Sequence, residues 1–176
     1  MLIWVIRSWA ISMEVFIRHS MGVRYPGGYA APVLLLVPGY CLFWEGYDIR
    51  PMLWFLGAFL LMCGRHRMSA LWRTSRPQSR EEHSYYTGVS YLQRWFPRTD
   101  EIILKMWIEP LFILGAGLLT LALNPPLGMY IMIGAGCRCV MSLISEFEVR
   151  TRVRDMQDQV IEQRIAAERF RRGQRY

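Results

Sequence analysis

The sequence lacks the usual signatures of catalysis. It contains no glycine-rich phosphate loop, no His-Glu-x-x-His metal motif and no spacing that would support a Ser–His–Asp triad. Its four cysteines all lie inside apolar segments, which predicts small buried side chains rather than a disulfide framework. We therefore expect a protein that is not an enzyme and that holds no cofactor and no metal ion.

Charge is also missing from two long stretches near the C-terminal half. Leu111–Leu123 has no charged residue, and Leu127–Ile144 has only Arg138. Asn124-Pro125-Pro126 separates them, and proline both ends a helix and suits the first turn of the next. Each arm is slightly shorter than the roughly 20 residues that cross a bilayer. The pattern predicts a transmembrane helical hairpin over residues 108–144. A buried hairpin in the core of a soluble protein is the alternative.

A second apolar pair precedes it. Tyr29–Trp44 and Pro51–Gly64 are apolar and are joined by the polar turn Glu45–Arg50, which predicts a first membrane hairpin over residues 29–64. The chain as a whole is 53% hydrophobic yet carries a formal net charge of +7. This combination favours an all-α integral membrane protein with two hairpins, and therefore four spans, over a soluble domain.

Residues 1–20 have the periodicity of an amphipathic helix. Apolar residues share one side of a helical projection, and six polar residues share the other: Arg7, Ser8, Ser12, Glu14, Arg18 and His19. No basic segment precedes the apolar run and no small-residue cleavage site follows it, unlike an ordinary signal peptide. We interpret this segment as an interfacial helix lying on the membrane, with a fifth spanning helix as the competing interpretation.

The segment 65–107 between the hairpins is basic and aromatic. It contains eight Lys or Arg residues against four acids, and Arg65, Arg67 and Arg73 predict contacts with lipid headgroups. Nucleic-acid binding would suit the same composition, but a loop beside two membrane hairpins favours lipid as the partner. The positive-inside rule then places this loop and both termini in the cytoplasm, with the hairpins in the inner (plasma) membrane.

One charge lies well inside a membrane arm. An arginine at the centre of a bilayer costs about 2.5–3.5 kcal/mol on insertion scales, so Arg138 needs a partner or a route to the interface. Glu109 begins the other arm at the same face. We predict an intramembrane ion pair between Arg138 and Glu109, with an ion or headgroup site as the alternative.

Residues 145–176 predict a long, charged cytoplasmic helix. Its apolar positions recur at spacings of four and three, which is the heptad pattern of a coiled-coil seam. The seam consists of Val149, Val153, Met156, Val160, Gln163, Ala167 and Phe170. Exposed apolar seams need cover, so we expect this one to contact other copies of the chain, an unlike subunit or the middle loop.

These features favour a non-catalytic scaffold subunit of a larger assembly, docked through its C-terminal helix. A homo-oligomeric channel or transporter component with Arg138 facing the path is the alternative. A membrane enzyme that works through the cytoplasmic loop is a third possibility.

Overall fold

A computed structural model describes residues 2–21, 25–74 and 88–173. The chain is mostly helical, which confirms the all-α class. Two compact units are present, Met1–Met141 and Ser142–Tyr176. The elements in chain order are α1 (Leu2–Ile17), β1 (Arg18–His19), α2 (Tyr25–Cys41), α3 (Arg50–Thr74), β2 (Val89–Ser90), a 3₁₀ turn (Tyr91–Arg94), α4 (Glu101–Ile103), a π-helical segment (Leu104–Ile108), α5 (Glu109–Leu121) and α6 (Pro125–Gly173).

The two helical hairpins meet at their turns. Asn124 caps the start of α6, because its Oδ1 accepts a hydrogen bond from the Leu127 amide at 3.0 Å. The same side chain donates from Nδ2 to the carbonyl of Asp48, also at 3.0 Å, in the turn between α2 and α3. Pro125 opens α6, where a missing N–H costs nothing. Both turns therefore lie at one end of the first unit.

Glycine allows α5 and α6 to approach closely. A Cβ built on Gly128 would lie 2.4 Å from the Cα of Leu121, and one on Gly117 would lie 2.8 Å from Met132. In the part of the chain that the structure describes, no neighbouring atom lies within 4 Å of such a Cβ on Gly115 or Gly136. Only some of the small residues in this hairpin therefore serve helix packing.

Two helices among the described residues are long and apolar enough to cross a membrane. They are Glu101–Leu121, which joins α4, the π-helical segment and α5, and Pro125–Arg171, the body of α6. The apolar helix Ala30–Cys41 is shorter. The structure thus gives two candidate spans where the sequence predicts four.

The N-terminal helix does not present its polar side to solvent. Ser8, Ser12, Glu14 and Arg18 are each exposed by 4% or less, although an interfacial helix would hold such residues in water. The hydroxyl of Tyr130 donates to Ser12 Oγ at 3.2 Å, so part of this side faces protein. The burial of these four side chains is not what an interfacial helix predicts. Periodicity detects two unlike sides of a helix but does not tell whether the polar one meets water or buried partners.

Helix α1 runs parallel to the first part of α6. The indole Nε1 of Trp9 donates to the carbonyl of Tyr130 at 3.0 Å, and the Glu14 carboxylate lies 3.1 Å from Arg138 Nε. Because both residue numbers rise together, the start of α1 lies toward the turn between α5 and α6. Trp9 and Tyr130 also stack, with ring centroids 4.9 Å apart.

A two-residue ladder ties the end of α1 to the middle segment, residues 65–107. Strands β1 and β2 pair antiparallel, with Arg18 opposite Ser90 and His19 opposite Val89. Gly88 has a φ of +80°, and a Cβ there would lie 2.5 Å from the His19 carbonyl oxygen. Glycine is therefore required where the chain enters this ladder.

Candidate functional site

The residue that organises the candidate site is Glu109, at the start of α5. Pro110 follows it and cannot donate a backbone hydrogen bond, and its ring would crowd the carbonyl four residues earlier in a regular helix. The five residues before Glu109, Leu104–Ile108, form a wider π-helical turn instead. Such turns recur at functional sites. Glu109 is 1% exposed, so its carboxylate needs partners within the protein.

Two arginines bind the Glu109 carboxylate. Arg18 donates from Nε to Oε1 at 3.1 Å and from Nη2 to Oε2 at 2.7 Å, which is a bidentate pair. Arg138 donates to Oε2 from Nη2 at 3.0 Å and from Nε at 3.3 Å. The structure thus brings Arg138 and Glu109 together and adds a second arginine. We call Glu14, Arg18, Glu109 and Arg138 the charge cluster.

Glu14 completes the charge cluster. Its Oε1 lies 3.1 Å from Arg138 Nε and 3.9 Å from Arg18 Nη1. The four side chains are between 1% and 6% exposed and sum to zero formal charge, two positive and two negative. Buried charges persist when they are paired and hydrogen-bonded, as here. The arrangement joins α1, β1, α5 and α6 at one level.

The charge cluster has the chemistry of a structural network. A carboxylate that accepts several arginine hydrogen bonds is a poor general base, because its lone pairs are occupied. No group of three or more His, Cys, Asp or Glu side chains that could hold a metal ion occurs among the described residues. The geometry therefore supports a role in holding helices in register.

The sequence indicated only part of this network. Glu14 and Arg18 were visible as an i,i+4 pair on a helix, and nothing in that spacing tells that the pair is buried against α5 and α6. A usable signal was present in the composition. Glu14 and Arg18 are two charges of opposite sign on a largely apolar helix, and charged side chains that are buried need partners of opposite sign.

The three predicted headgroup arginines do not share one environment. Arg65 and Arg67 are exposed on α3, whereas Arg73 is partly buried and donates from Nη2 to the carbonyl of Met21 at 2.9 Å. The structure places all three on the last part of α3. Arg73 has a structural contact as well as a charge.

The predicted seam of the C-terminal helix is exposed in its own unit. Val149 is 53%, Met156 56% and Phe170 68% exposed, and the other four members are exposed as well. Ile161 and Ile165 are also exposed, at 55% and 46%, and lie outside the seam. They occupy heptad positions b and f, on the side of the helix opposite the seam.

Comparison of the chain with protein-family models, with curated proteins and with solved structures finds no match.

Proposed function

We propose that this protein is a non-catalytic scaffold subunit of the inner membrane. Its helical bundle acts as the anchor, and its C-terminal helix docks an unlike protein subunit through the seam. The observation that carries the proposal is the exposure of the seam along α6. The remaining support comes from the bundle, from the residues beside the seam and from the charge cluster.

The polarity of the bundle supports a membrane environment. Large apolar side chains point outward on several helices, for example Leu35 at 80%, Leu61 at 76% and Leu119 at 77% exposed. The charge cluster lies inside. Water-soluble bundles have the reverse distribution, whereas lipid solvates an apolar exterior and favours paired charges in the interior.

We extend the membrane region to five helices, with α1 as a span. The charge cluster contains residues of α1, α5 and α6, so α1 lies at the same depth as the spanning helices. Because α1 runs parallel to α6, Leu2 then lies on the side of the hairpin turns, opposite the middle segment. The segments around Arg65 and Arg98 are basic and lie on the cytoplasmic side under the positive-inside rule. This proposed topology puts the N-terminus on the side opposite the cytoplasm, whereas the sequence analysis predicts both termini in the cytoplasm.

The seam is suited to a helical partner. A helix with an apolar stripe over three heptads is covered by another helix in a coiled coil, and an isolated helix of this kind is poorly stabilised. Val153 and Val160 occupy heptad positions a, where β-branched side chains favour two-stranded packing. Gln163 occupies a d position and favours one register at some cost in stability.

The residues beside the seam favour an unlike partner. Heptad positions e and g set partner choice, and here they carry arginines and no acid. They are Arg150, Arg152, Gln157, Gln159, Arg164, Ala166 and Arg171. An identical copy would bring arginine against glutamine or alanine, without opposite charges, whereas a helix with acidic flanks would pair with them. The i,i+4 pairs of Arg150 with Glu146 and of Arg152 with Glu148 are exposed and weak, so docking can replace them.

No contact among the described residues of the bundle favours the channel alternative. Arg138 is 5% exposed and its guanidinium contacts Glu14 and Glu109. A charge held in this way is neutralised by its neighbours, so it offers no open binding position to a passing ion.

A designed peptide tests the docking proposal. The purified full chain is mixed in neutral detergent with a helical heptad peptide that has an aliphatic seam and glutamate at every e and g position. A second peptide has lysine at those positions. We expect the glutamate peptide to bind and the lysine peptide to fail, because the flanks of the tail are basic. Native mass spectrometry reports peptide binding and self-association in one measurement.

Matched variants locate the binding side. Val153→Asp with Val160→Asp should abolish peptide binding, since it places two charges in the seam. Thr151→Asp with Ile165→Asp adds the same charge to β-branched residues on the opposite side and should leave binding intact. Equal losses in both variants would contradict docking through the seam. A stable complex of identical chains that is lost only in the seam variant would favour the homo-oligomer instead.

A further inference from the structure

A pocket lies beside the C-terminal part of α3, from Arg65 onward, and is lined mostly by basic and hydroxyl side chains. Its volume is about 410 Å³, within the range of ligand sites. One face of α3 contributes Arg65, Ser69 and Arg73, spaced four residues apart, and the end of α1 contributes His19 and Ser20. None of the eight lining residues that the structure describes is acidic. The pocket is therefore electropositive.

Two further observations favour a polar ligand in this pocket. The Nδ1 atom of His19 is buried and has no hydrogen-bond partner among the described residues, although buried polar atoms nearly always have one. The next residue, Ser20, has a φ of +59°, a conformation that is uncommon outside glycine and that concentrates at binding sites. His19 also stacks on Tyr91, another lining residue, with ring centroids 4.8 Å apart.

We propose that this pocket binds a phosphate group, carried by an anionic lipid headgroup or present as free phosphate. Arginine is the residue best matched to phosphate oxygens. Arg65 is exposed, and its one described contact is weak, 4.0 Å from Nη1 to the sulfur of Met62, so its guanidinium can turn to a ligand. The C-terminal dipole of α3 disfavours an anion, but that effect is confined to the last turn, and Arg65 lies more than two turns before Thr74.

Neighbouring residues suit the lipid form of this ligand. Trp72 lines the pocket and is 69% exposed, and Met68 on the same helix is 67% exposed. An exposed indole beside basic side chains is typical of the headgroup level of a membrane. The lipid form rests on the membrane placement proposed above, whereas binding of free phosphate does not. The two proposals can therefore fail separately.

The test compares two arginines of α3. The full chain in neutral detergent is titrated with dioctanoyl phosphatidic acid, with inorganic phosphate and with dioctanoyl phosphatidylcholine. We expect Arg65→Gln to weaken binding of the phosphatidic acid about tenfold, equivalent to about 1.4 kcal/mol. Arg67→Gln removes the same charge from an exposed position that does not line the pocket. It should change the affinity less than about twofold, because it alters only the general surface charge.

The three ligands separate the outcomes. Displacement of phosphatidic acid by inorganic phosphate supports a site for the phosphate group itself, and binding of phosphatidic acid alone supports a lipid site. Arg65→Lys keeps the charge and should retain more affinity than Arg65→Gln, which guards against a loss caused by misfolding. Equal losses in Arg65→Gln and Arg67→Gln, equal binding of phosphatidylcholine, or no saturable binding of any ligand would overturn the proposal.

Discussion

Replacing Glu109 by glutamine should destabilise the protein strongly. The Glu109 carboxylate accepts hydrogen bonds from Arg18 and Arg138 at 2.7–3.3 Å, and all three side chains are nearly completely buried. Glu109→Gln keeps the shape of the side chain but leaves two buried arginines with one carboxylate, Glu14. The net charge of the cluster rises from zero to +1. Removing one partner of a buried ion pair costs about 3–5 kcal/mol.

The second half of the prediction is a rescue. Arg138→Gln combined with Glu109→Gln returns the cluster to zero charge and leaves the Arg18–Glu14 contact. We therefore expect the double variant to be more stable than Glu109→Gln alone by at least about 1 kcal/mol, a coupling typical of residues in one network. The measurement is the free energy of unfolding of the wild type, both single variants and the double variant, obtained by reversible denaturation in mixed micelles. These four values form a double-mutant cycle.

The same chain offers a control for this substitution. Glu101 lies eight residues before Glu109 on the same helical stretch and forms an ion pair with Lys105, and its side chain is 49% exposed. Glu101→Gln should change the free energy of unfolding by about 0–1 kcal/mol, because water replaces an exposed partner. If Glu101→Gln and Glu109→Gln cost the same, or if the cycle shows no coupling, the buried network does not stabilise the fold.

Two further predictions concern topology and packing. The topology test places single cysteines in a cysteine-free background. Cysteines at Leu2 and Glu45 should react with an impermeant thiol reagent from one side of the membrane, and a cysteine at Arg98 from the other side. Labelling of Leu2 and Arg98 from the same side would exclude α1 as a span. Gly128→Ala should lower the melting temperature because its Cβ would overlap the backbone of α5, whereas Gly136→Ala on the same helix should raise it slightly, which thermal denaturation will show.

The helices were predictable because they depend on local pattern. Apolar runs without charge and the Asn-Pro-Pro break mark the hairpin of α5 and α6 in the sequence, and Asn124 caps α6 in the structure. The C-terminal helix was predicted from the four-and-three spacing of its apolar residues and is part of α6. These features require no knowledge of distant contacts.

The position of α1 was not predictable in the same way. Its polar residues are few, and the same helical projection describes a helix on a membrane surface and one with a buried polar side. Whether the polar side of α1 is buried depends on contacts with Glu109 and Arg138. These residues lie 95 and 124 residues beyond Glu14 in the chain. The short ladder of β1 and β2 is also a long-range pairing, and two residues are too few to leave a periodic signal.

The charge cluster accounts for the choice of one helix register in a bundle with an apolar exterior. Under the proposed membrane placement, apolar packing alone does not drive helices together, since lipid tails are as apolar as leucine, so small residues and polar contacts specify the arrangement. Gly128 and Gly117 let α5 and α6 approach but act on that pair alone. Glu14 and Arg138 add α1 to the pair through an Oε1–Nε contact of 3.1 Å. A shift of α1 by one helical turn moves it about 5.4 Å along its axis. This displacement breaks the contact between Glu14 and Arg138 and leaves unpaired charges buried. The electrostatic cost of that shift adds to the packing of Met13 on Gly134, and so the register of α1 depends in part on charges whose number and sign must balance.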